Sequence, residues 1–356
     1  MTVLAEQLTA RIRTEGPISL ADYMAECLLH PEHGYYTAQV PFGAQGDFIT
    51  APEISQMFGE LIGLSLAQCW LDQGAPAVFT LAELGPGRGT LMADLLRATR
   101  GVPGFHTALQ LYLVEASAQL RQQQEEALQG YEVTWVDGID ELPQQPLFLV
   151  ANEFFDALPI RQFLRDGEGW REKRVGLIDG ALGFGLGPEA PQPALEHRLL
   201  DTKPDDLVEM SPAMAPITAG LAQRIAAHGG AALIIDYGDW RSLGDTLQAL
   251  KSHAPVDPLA TPGEADLTAH VDFEVLCSVA AGAGCAHSRV TPQGVFLERL
   301  GITDRARTLA KGLEGEALEA LIAAHRRLTH PEEMGNLFKV LGLTPAEAAP
   351  PPGLNA

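Results

Sequence analysis

The chain has 356 residues, 46% hydrophobic and 20% charged, which argues against a disordered or fibrous protein and leaves room for one large domain with insertions or two modest ones. Lys and Arg number 24 against 46 Asp and Glu, a formal net charge of −22. A field of that sign repels phosphate backbones and anionic membranes, so nucleic acid and membrane insertion are not expected, and a basic protein surface is the favoured kind of partner; the plainer reading is that acidity keeps the protein soluble.

Cys27, Cys69, Cys277 and Cys285 contain no C-x-x-C pair, so no metal site or disulfide framework is expected, and reduced thiols in the cytoplasm are. The N-terminus lacks a basic region followed by an apolar core, so no secretion signal is expected. No run has the apolar length needed to span a bilayer.

Along the chain, Leu4, Leu8 and Ile12 recur at helical spacing, and Ser19 can cap a second helix over 20–29 that stops before Pro31. A loop rich in Gly and aromatics follows, through Gly46 to Thr50. Pro52 then opens a longer predicted helix running to about Asp72. From Val78 the pattern changes. Apolar runs at 78–84, 109–115, 133–137 and 147–152 alternate with helical segments at 90–99 and 117–128, which indicates a parallel sheet buried on both faces. Residues 231–237 are a fifth strand of the same kind.

Between the fourth and fifth strands, 161–165 and 170–178 read as a hairpin, followed by a Gly/Pro-rich stretch at 180–193, together an inserted subdomain. A last pair of strands is expected at 288–290 and 335–341, with helices from about 293 to 327 between them. The expected division is 1–75 as N-terminal helices and a lid loop, 76–345 as the core with insertions near 160–228 and 293–333, and 346–356 as an extended, poorly ordered tail.

Open parallel sheets bind ligands beyond the carboxyl ends of their strands. Here four consecutive strand exits are polar: Glu83 through Gly89, Glu115, Asp137-Gly138 and Asn152-Glu153. Gly85, Gly87 and Gly89 are spaced G-x-G-x-G, tighter than a dehydrogenase fingerprint, and Glu83 ahead of them suits a ligand bearing a sulfonium and an ammonium better than a pyrophosphate. Glu115 can accept both ribose hydroxyl protons, and Asp137 stands where adenine edges are read. An ordinary tight turn is the alternative for the glycines, and a plain turn for Asp137-Gly138.

The segments 46–59, 83–90, 152–159, 235–238 and 266–273 resemble the MidA family of class I S-adenosyl-L-methionine-dependent methyltransferases, relatives of the mitochondrial complex I assembly factor that methylates arginine. The resemblance runs from about Pro17 to Leu341. It implies an α/β fold, a Rossmann-like mostly parallel sheet with helices on both faces, and a cofactor contact set of Glu83, Gly85, Pro86, Gly87, Gly89, Thr90, Glu115, Asp137, Asn152, Gly46 and Thr50. S-adenosyl-L-methionine is the expected cofactor and S-adenosylhomocysteine its product. The expected acceptor is an arginine of a protein, of the complex I subunit type. The absent organelle presequence suggests a bacterial, cytoplasmic member, and a homodimer is one open oligomeric option. A small-molecule N- or O-methyltransferase and a cofactor-binding, non-catalytic assembly factor are the alternatives.

Methyl transfer from a sulfonium is an in-line displacement, so the protein must align the nucleophile, exclude water and remove a proton. A guanidinium is a poor nucleophile while charged, and carboxylates can both orient its fork and take the proton. Candidates are Glu153, Asp156, Asp236, His270 and Glu53. Each has a plainer reading: Asn152 and Asp156 could cap a helix with Phe154 and Phe155 in the core, Asp236-Tyr237-Gly238 could be a turn, Thr50 and Glu53 a capping box, and His270 part of a polar loop before a helix at 271–281.

Overall fold

The computed structural model describes residues 2–38 and 50–356. Seven strands form the main path of the nine-stranded central sheet: β1 (Phe79–Leu84), β2 (Leu109–Val114), β3 (Val133–Val136), β4 (Leu147–Asn152), β5 (Gly230–Asp239), β6 (Cys285–His287) and β7 (Phe338–Pro345), with Val271–Asp272 paired to β5 and Thr291–Pro292 to β7. Their spatial order is β6-β7-β5-β4-β1-β2-β3. Strands β1 to β5 run parallel, whereas β7 is antiparallel to both β5 and β6. All six residues of β1 and of β4 are buried, as near-continuous apolar runs must be when helices cover both faces. Chain order reverses between β1 and β4, so their carboxyl ends open the crevice where such sheets bind ligands.

One face is covered by helices Gln56–Asp72 and Thr90–Thr99, which share a core with Phe79, Leu81, Phe148 and Val150. These two helices touch closely because Gly63 faces Leu95, where a Cβ would come within 2.7 Å of the leucine side chain. The other face carries Met214–His228 and Phe273–Gly282 over Ala82, Leu149 and Ile234. Met214–His228 thus serves as the crossover into β5, and the insertion proper is the antiparallel sheet before it. There Arg161–Asp166 and Gly169–Ile178 pair as the expected hairpin. Leu207–Met210 and Ile18–Ser19 flank that hairpin on either side.

Four elements differ from expectation. The helix predicted from Pro52 to Asp72 breaks at Ser55, whose backbone is extended (φ −161°, ψ 137°) and whose hydroxyl accepts from the Met57 N–H at 3.3 Å. Ala51–Ile54 is therefore a separate turn. The Gly/Pro-rich stretch contains a third strand, Ala181–Ala190, paired with Gly169–Ile178; Leu182 and Phe184 alternate with glycines and pack on the N-terminal helices. Residues 288–290 are not a strand. Ser288 Oγ takes the Gly342 N–H at 2.9 Å where a backbone carbonyl would continue the ladder, and the pairing with β7 falls on β6 and on Thr291–Pro292 instead.

The segment after β7 also differs, since it packs back onto the core rather than hanging free. Pro351 and Leu354 lie against Gly342, and the Pro352 carbonyl accepts from Ser65 Oγ at 3.1 Å. No helix among the described residues is long and apolar enough to cross a membrane.

Candidate active site

At the end of β1 the chain turns through Gly85 (φ 59°), Gly87 (φ 52°) and Gly89 (φ 81°), left-handed backbone that side-chain-bearing residues adopt at a cost. Gly85 is doubly constrained: a Cβ there would sit 3.0 Å from the Phe154 ring. Helix Thr90–Thr99 starts directly after the turn. Beneath it a small chamber of about 50 Å³ is lined by Thr50, Glu53, Glu83, Pro86, Thr90 and Asn152, among others.

Two buried oxygens in this chamber, Glu83 Oε2 and Asn152 Oδ1, have no hydrogen-bond partner among the described residues. Burial, and then the nearby Glu115 charge, pushes the Glu83 carboxyl up to about 8. Acceptors left without donors are costly, and an ammonium-bearing ligand supplies the missing donors. The residues present therefore fit the amino-acid end of S-adenosyl-L-methionine.

Glu53 does not form the expected capping box. Thr50 precedes the Ala51–Ile54 turn without a side-chain cap bond, and the Glu53 carboxylate instead accepts from Thr90 Oγ1 and from Arg88 Nη1 (3.3 Å). It thereby ties the segment before the sheet to the glycine loop. Gly46 lies outside the described residues.

A second cavity, about 710 Å³, runs across the carboxyl ends of the strands. At one end is Glu115, buried, with Oε1 accepting from the Ser117 N–H (2.8 Å) and Oε2 from Gln124 (3.2 Å). Burial raises its pKa. Gly138 and Ile139 lie alongside, on a turn closed by Glu141 Oε1, which accepts the Asp137 and Gly138 N–H groups (2.8 and 3.2 Å). The Asp137 side chain is 82% exposed and ion-paired with Arg121, so the carboxylate is the peripheral part of that strand exit.

At the other end stand Glu153, Asp156, Asp266, Thr268, Tyr36, Tyr237 and His270, drawn from four separate stretches of chain. Thr50, Gly85, Gly87 and Glu153 line both cavities. Glu153 therefore sits where they join. Its backbone is left-handed (φ 52°), and Oε1 accepts from the Ala51 N–H (3.3 Å) and Asn152 Nδ2 (3.0 Å). Burial, then the Asp156 charge, pushes Glu153 up to about 7. Asp156 is 5% exposed, with Oδ1 unpartnered among the described residues. Burial raises it to about 6, opposed by a hydrogen bond from the Tyr237 hydroxyl.

Residues 152–156 form no helix, so the helix-cap reading fails; Phe155 packs in the core while Phe154 lines the cavity. Asp236 is neither in a turn nor at the cavity wall. It lies within β5, fully buried, and its Oδ2 accepts the N–H groups of Phe155 (3.0 Å) and Asp156 (3.2 Å). Burial, then the Asp156 and Glu153 charges, raises its pKa well above the usual range.

His270 borders the cavity with its ring against Tyr237 (centroids 5.5 Å). Burial, then Lys339, lowers its pKa, so it is neutral near pH 7. The segment before it is a short buried strand, Asp266–Thr268, not a polar loop. The helix after it starts at Phe273, capped by Asp272.

Tyr36, Tyr237, Asp266 and Thr268 were not singled out from the sequence. The Tyr36 hydroxyl donates to Asp266 Oδ1 at 2.8 Å across 230 residues of chain, a relation that no local spacing reveals. Tyr237 could have been found from strand alternation. If Asp236 points under the sheet's end, its neighbour must point over it.

Residues 61–291 match the family described as "Putative S-adenosyl-L-methionine-dependent methyltransferase". The mitochondrial protein arginine methyltransferase NDUFAF7 of Xenopus laevis is 36% identical over 96% of the chain and 84% of its own length. The Homo sapiens protein of the same name is 35% identical over 97% and 84%. A solved structure from Burkholderia thailandensis, bound to S-adenosyl-homocysteine, superposes with a TM-score of 0.82 at 30% identity, covering 96% of this chain and 91% of the other. The chain belongs to this family of S-adenosyl-L-methionine-dependent methyltransferases.

Proposed function

We propose that the chain methylates the guanidine of an arginine in a protein. The carrying observation is the acceptor end of the larger cavity: Glu153, at the junction with the small chamber, faces it together with Asp156 and Asp266. Arg327 is the one Lys or Arg among the described lining residues. A site so rich in buried carboxyls selects a cation with several N–H donors. That the NDUFAF7 relatives are named protein arginine methyltransferases supports the same reading.

The cofactor supplies an electrophilic methyl on a sulfonium. In this reading Glu83, Asn152, the glycine loop and Glu115 hold it. Asp137, Thr50 and Glu53 act at the edges of that set. Glu153 accepts one guanidinium N–H and takes its proton as the nitrogen attacks, while Asp156, steadied by Tyr237, accepts a second N–H and fixes the fork. Phe154 and Phe338 wall the site from water. A carboxyl held near 7 is ionised in a growing fraction as pH rises through that value, so turnover rises over the same interval. His270, neutral at that pH, packs its ring on Tyr237 at the edge of the acceptor end.

A respiratory complex I subunit, reached in the cytoplasm, is the acceptor implied by the sequence resemblance. Labelled methyl donor is added with purified enzyme to a lysate of cells lacking it, and the protein is hydrolysed and chromatographed. Label in methylarginine is expected. Label confined to small molecules, or to other residues, would overturn the arginine reading. Mass spectrometry of complex I subunits with and without the gene decides the narrower claim.

A further inference from the structure

The turn that carries Glu153 and Asp156 is irregular and contains a left-handed, non-glycine residue. Such a backbone costs about 1 kcal/mol and persists only where its surroundings hold it. Four contacts do so. The Glu153 N–H donates to the Ile235 carbonyl at 2.9 Å. The Phe155 and Asp156 N–H groups donate to Asp236 Oδ2 at 3.0 and 3.2 Å. The Asp156 carbonyl accepts the Ala269 N–H at 3.0 Å. Asp236 Oδ1 also receives the Tyr237 N–H at 3.0 Å.

The end of β5 thus works on two sides. Asp236 points beneath the turn and gathers three backbone donors, while Tyr237, on the opposite side of the strand, reaches Asp156, Thr268 and the ring of His270. Consecutive strand residues point to opposite faces, so one dipeptide fixes both the backbone and the side chains of the acceptor end. A buried carboxylate is an unusual choice for three amide donors if only the fold needed them, because backbone carbonyls would avoid gathering a third acid beside Glu153 and Asp156.

We infer that Asp236 is a positioning residue, which sets the 153–156 turn so that the Glu153 and Asp156 carboxylates converge on the acceptor without touching it itself. Asp236 acts through those two acids, so the inference rests on their assignment as the acceptor carboxylates. It predicts that a change at 236 alters turnover and the backbone of the turn while leaving the cofactor half, built on the exits of β1 to β4 ahead of that turn, as it was.

The test compares Asp236→Asn and Tyr237→Phe with the wild-type protein. Three readouts are taken: S-adenosylhomocysteine affinity, amide hydrogen exchange of 153–157, and methyl transfer into the knockout lysate. Asp236→Asn replaces an acceptor oxygen by an NH2 facing backbone donors. It should leave affinity within about twofold, speed exchange of 153–157 at least about tenfold, and lower kcat more than KM. Tyr237→Phe should leave the exchange of 153–157 as in wild type, separating the backbone from the side-chain role.

Wild-type exchange and wild-type turnover in Asp236→Asn would overturn the inference, as would an affinity loss equal to the turnover loss. If the variant does not fold, the wild-type protein decides. The Phe155 and Asp156 amides, which lie outside helix and strand, must exchange as slowly as β4 amides, and rapid exchange would overturn it. Absence of methylarginine with wild-type enzyme would count against the arginine reading alone, because the exchange measurement needs no acceptor.

Discussion

The two ends of the large cavity are built differently. The proposed cofactor region, the Glu115 end with the adjoining small chamber, is made of successive exits from adjacent parallel strands, and most of its acids have partners: Glu115 on Ser117 and Gln124, Asp137 on Arg121, Glu53 on Thr90 and Arg88. Among the described residues there, Glu83 and Asn152 each keep a buried oxygen without a partner. The acceptor end brings residues 36, 153–156, 237 and 266–270 together and packs its carboxyls close enough to raise one another. Partnered acids hold a ligand whose form is fixed. Mutually repelling acids, poised near neutrality, suit a ligand that must arrive charged and leave a proton behind.

The largest expected effect breaks both ends at once. Gly85→Val forces a branched side chain into left-handed backbone and against Phe154, so S-adenosylhomocysteine binding should be lost by calorimetry. Retained binding would show that the loop and Phe154 are not coupled. Glu153→Gln should then separate the ends: turnover falls about 1000-fold, the middle of what a positioned base contributes, with cofactor affinity within about threefold. An equal fall in affinity would place Glu153 on the cofactor instead.

Glu115→Ala tests the opposite end. Losing charge-assisted hydrogen bonds to a ligand should weaken S-adenosylhomocysteine about 10- to 100-fold, while methyl transfer at saturating cofactor stays near wild type. Unchanged affinity removes Glu115 from the contact set.

Smaller and pH-dependent effects come from Glu83. Its pKa near 8 in the free protein means that the ionised form, which pairs with an ammonium, grows as pH rises. S-adenosylhomocysteine affinity should increase by up to about 50-fold from pH 6 to pH 8, with proton release on binding. Stability of the ligand-free protein runs the other way. A folded pKa raised above its ordinary 4.5 gives a contribution that is whole below pH 4.5 and lost as pH climbs to about 8. Glu83→Gln should flatten both dependences, and a variant with the wild-type slopes would exclude Glu83 as their source. Smallest of all, Asp137→Asn, at an 82% exposed side chain, should change affinity by less than about threefold.

The grouping of the proposed cofactor residues was legible in the sequence because parallel strands place their exits side by side in the order in which the chain makes them. Glu83 through Thr90, Glu115, Asp137 and Asn152 are therefore neighbours in space for the same reason that they are regular in sequence. The fold was legible likewise: the predicted and observed bounds coincide for Thr90–Thr99 and Leu147–Asn152, where apolar periodicity and burial agree. It failed where side chains replaced backbone partners, as at Ser55 and Ser288, and where glycines hid the two-residue alternation of Ala181–Ala190.

What the sequence alone determined was thus the sheet, the switch point and the cofactor chemistry, all carried by short-range pattern. What tertiary structure decided was which acids meet. Asp236 looked equivalent to Asp156 as a candidate. Only the pairing of β5 against β4, and the turn laid over its end, puts one beneath the backbone and the other at the cavity. Side-chain direction across a sheet edge depends on register between strands about 80 residues apart, and no local propensity encodes that.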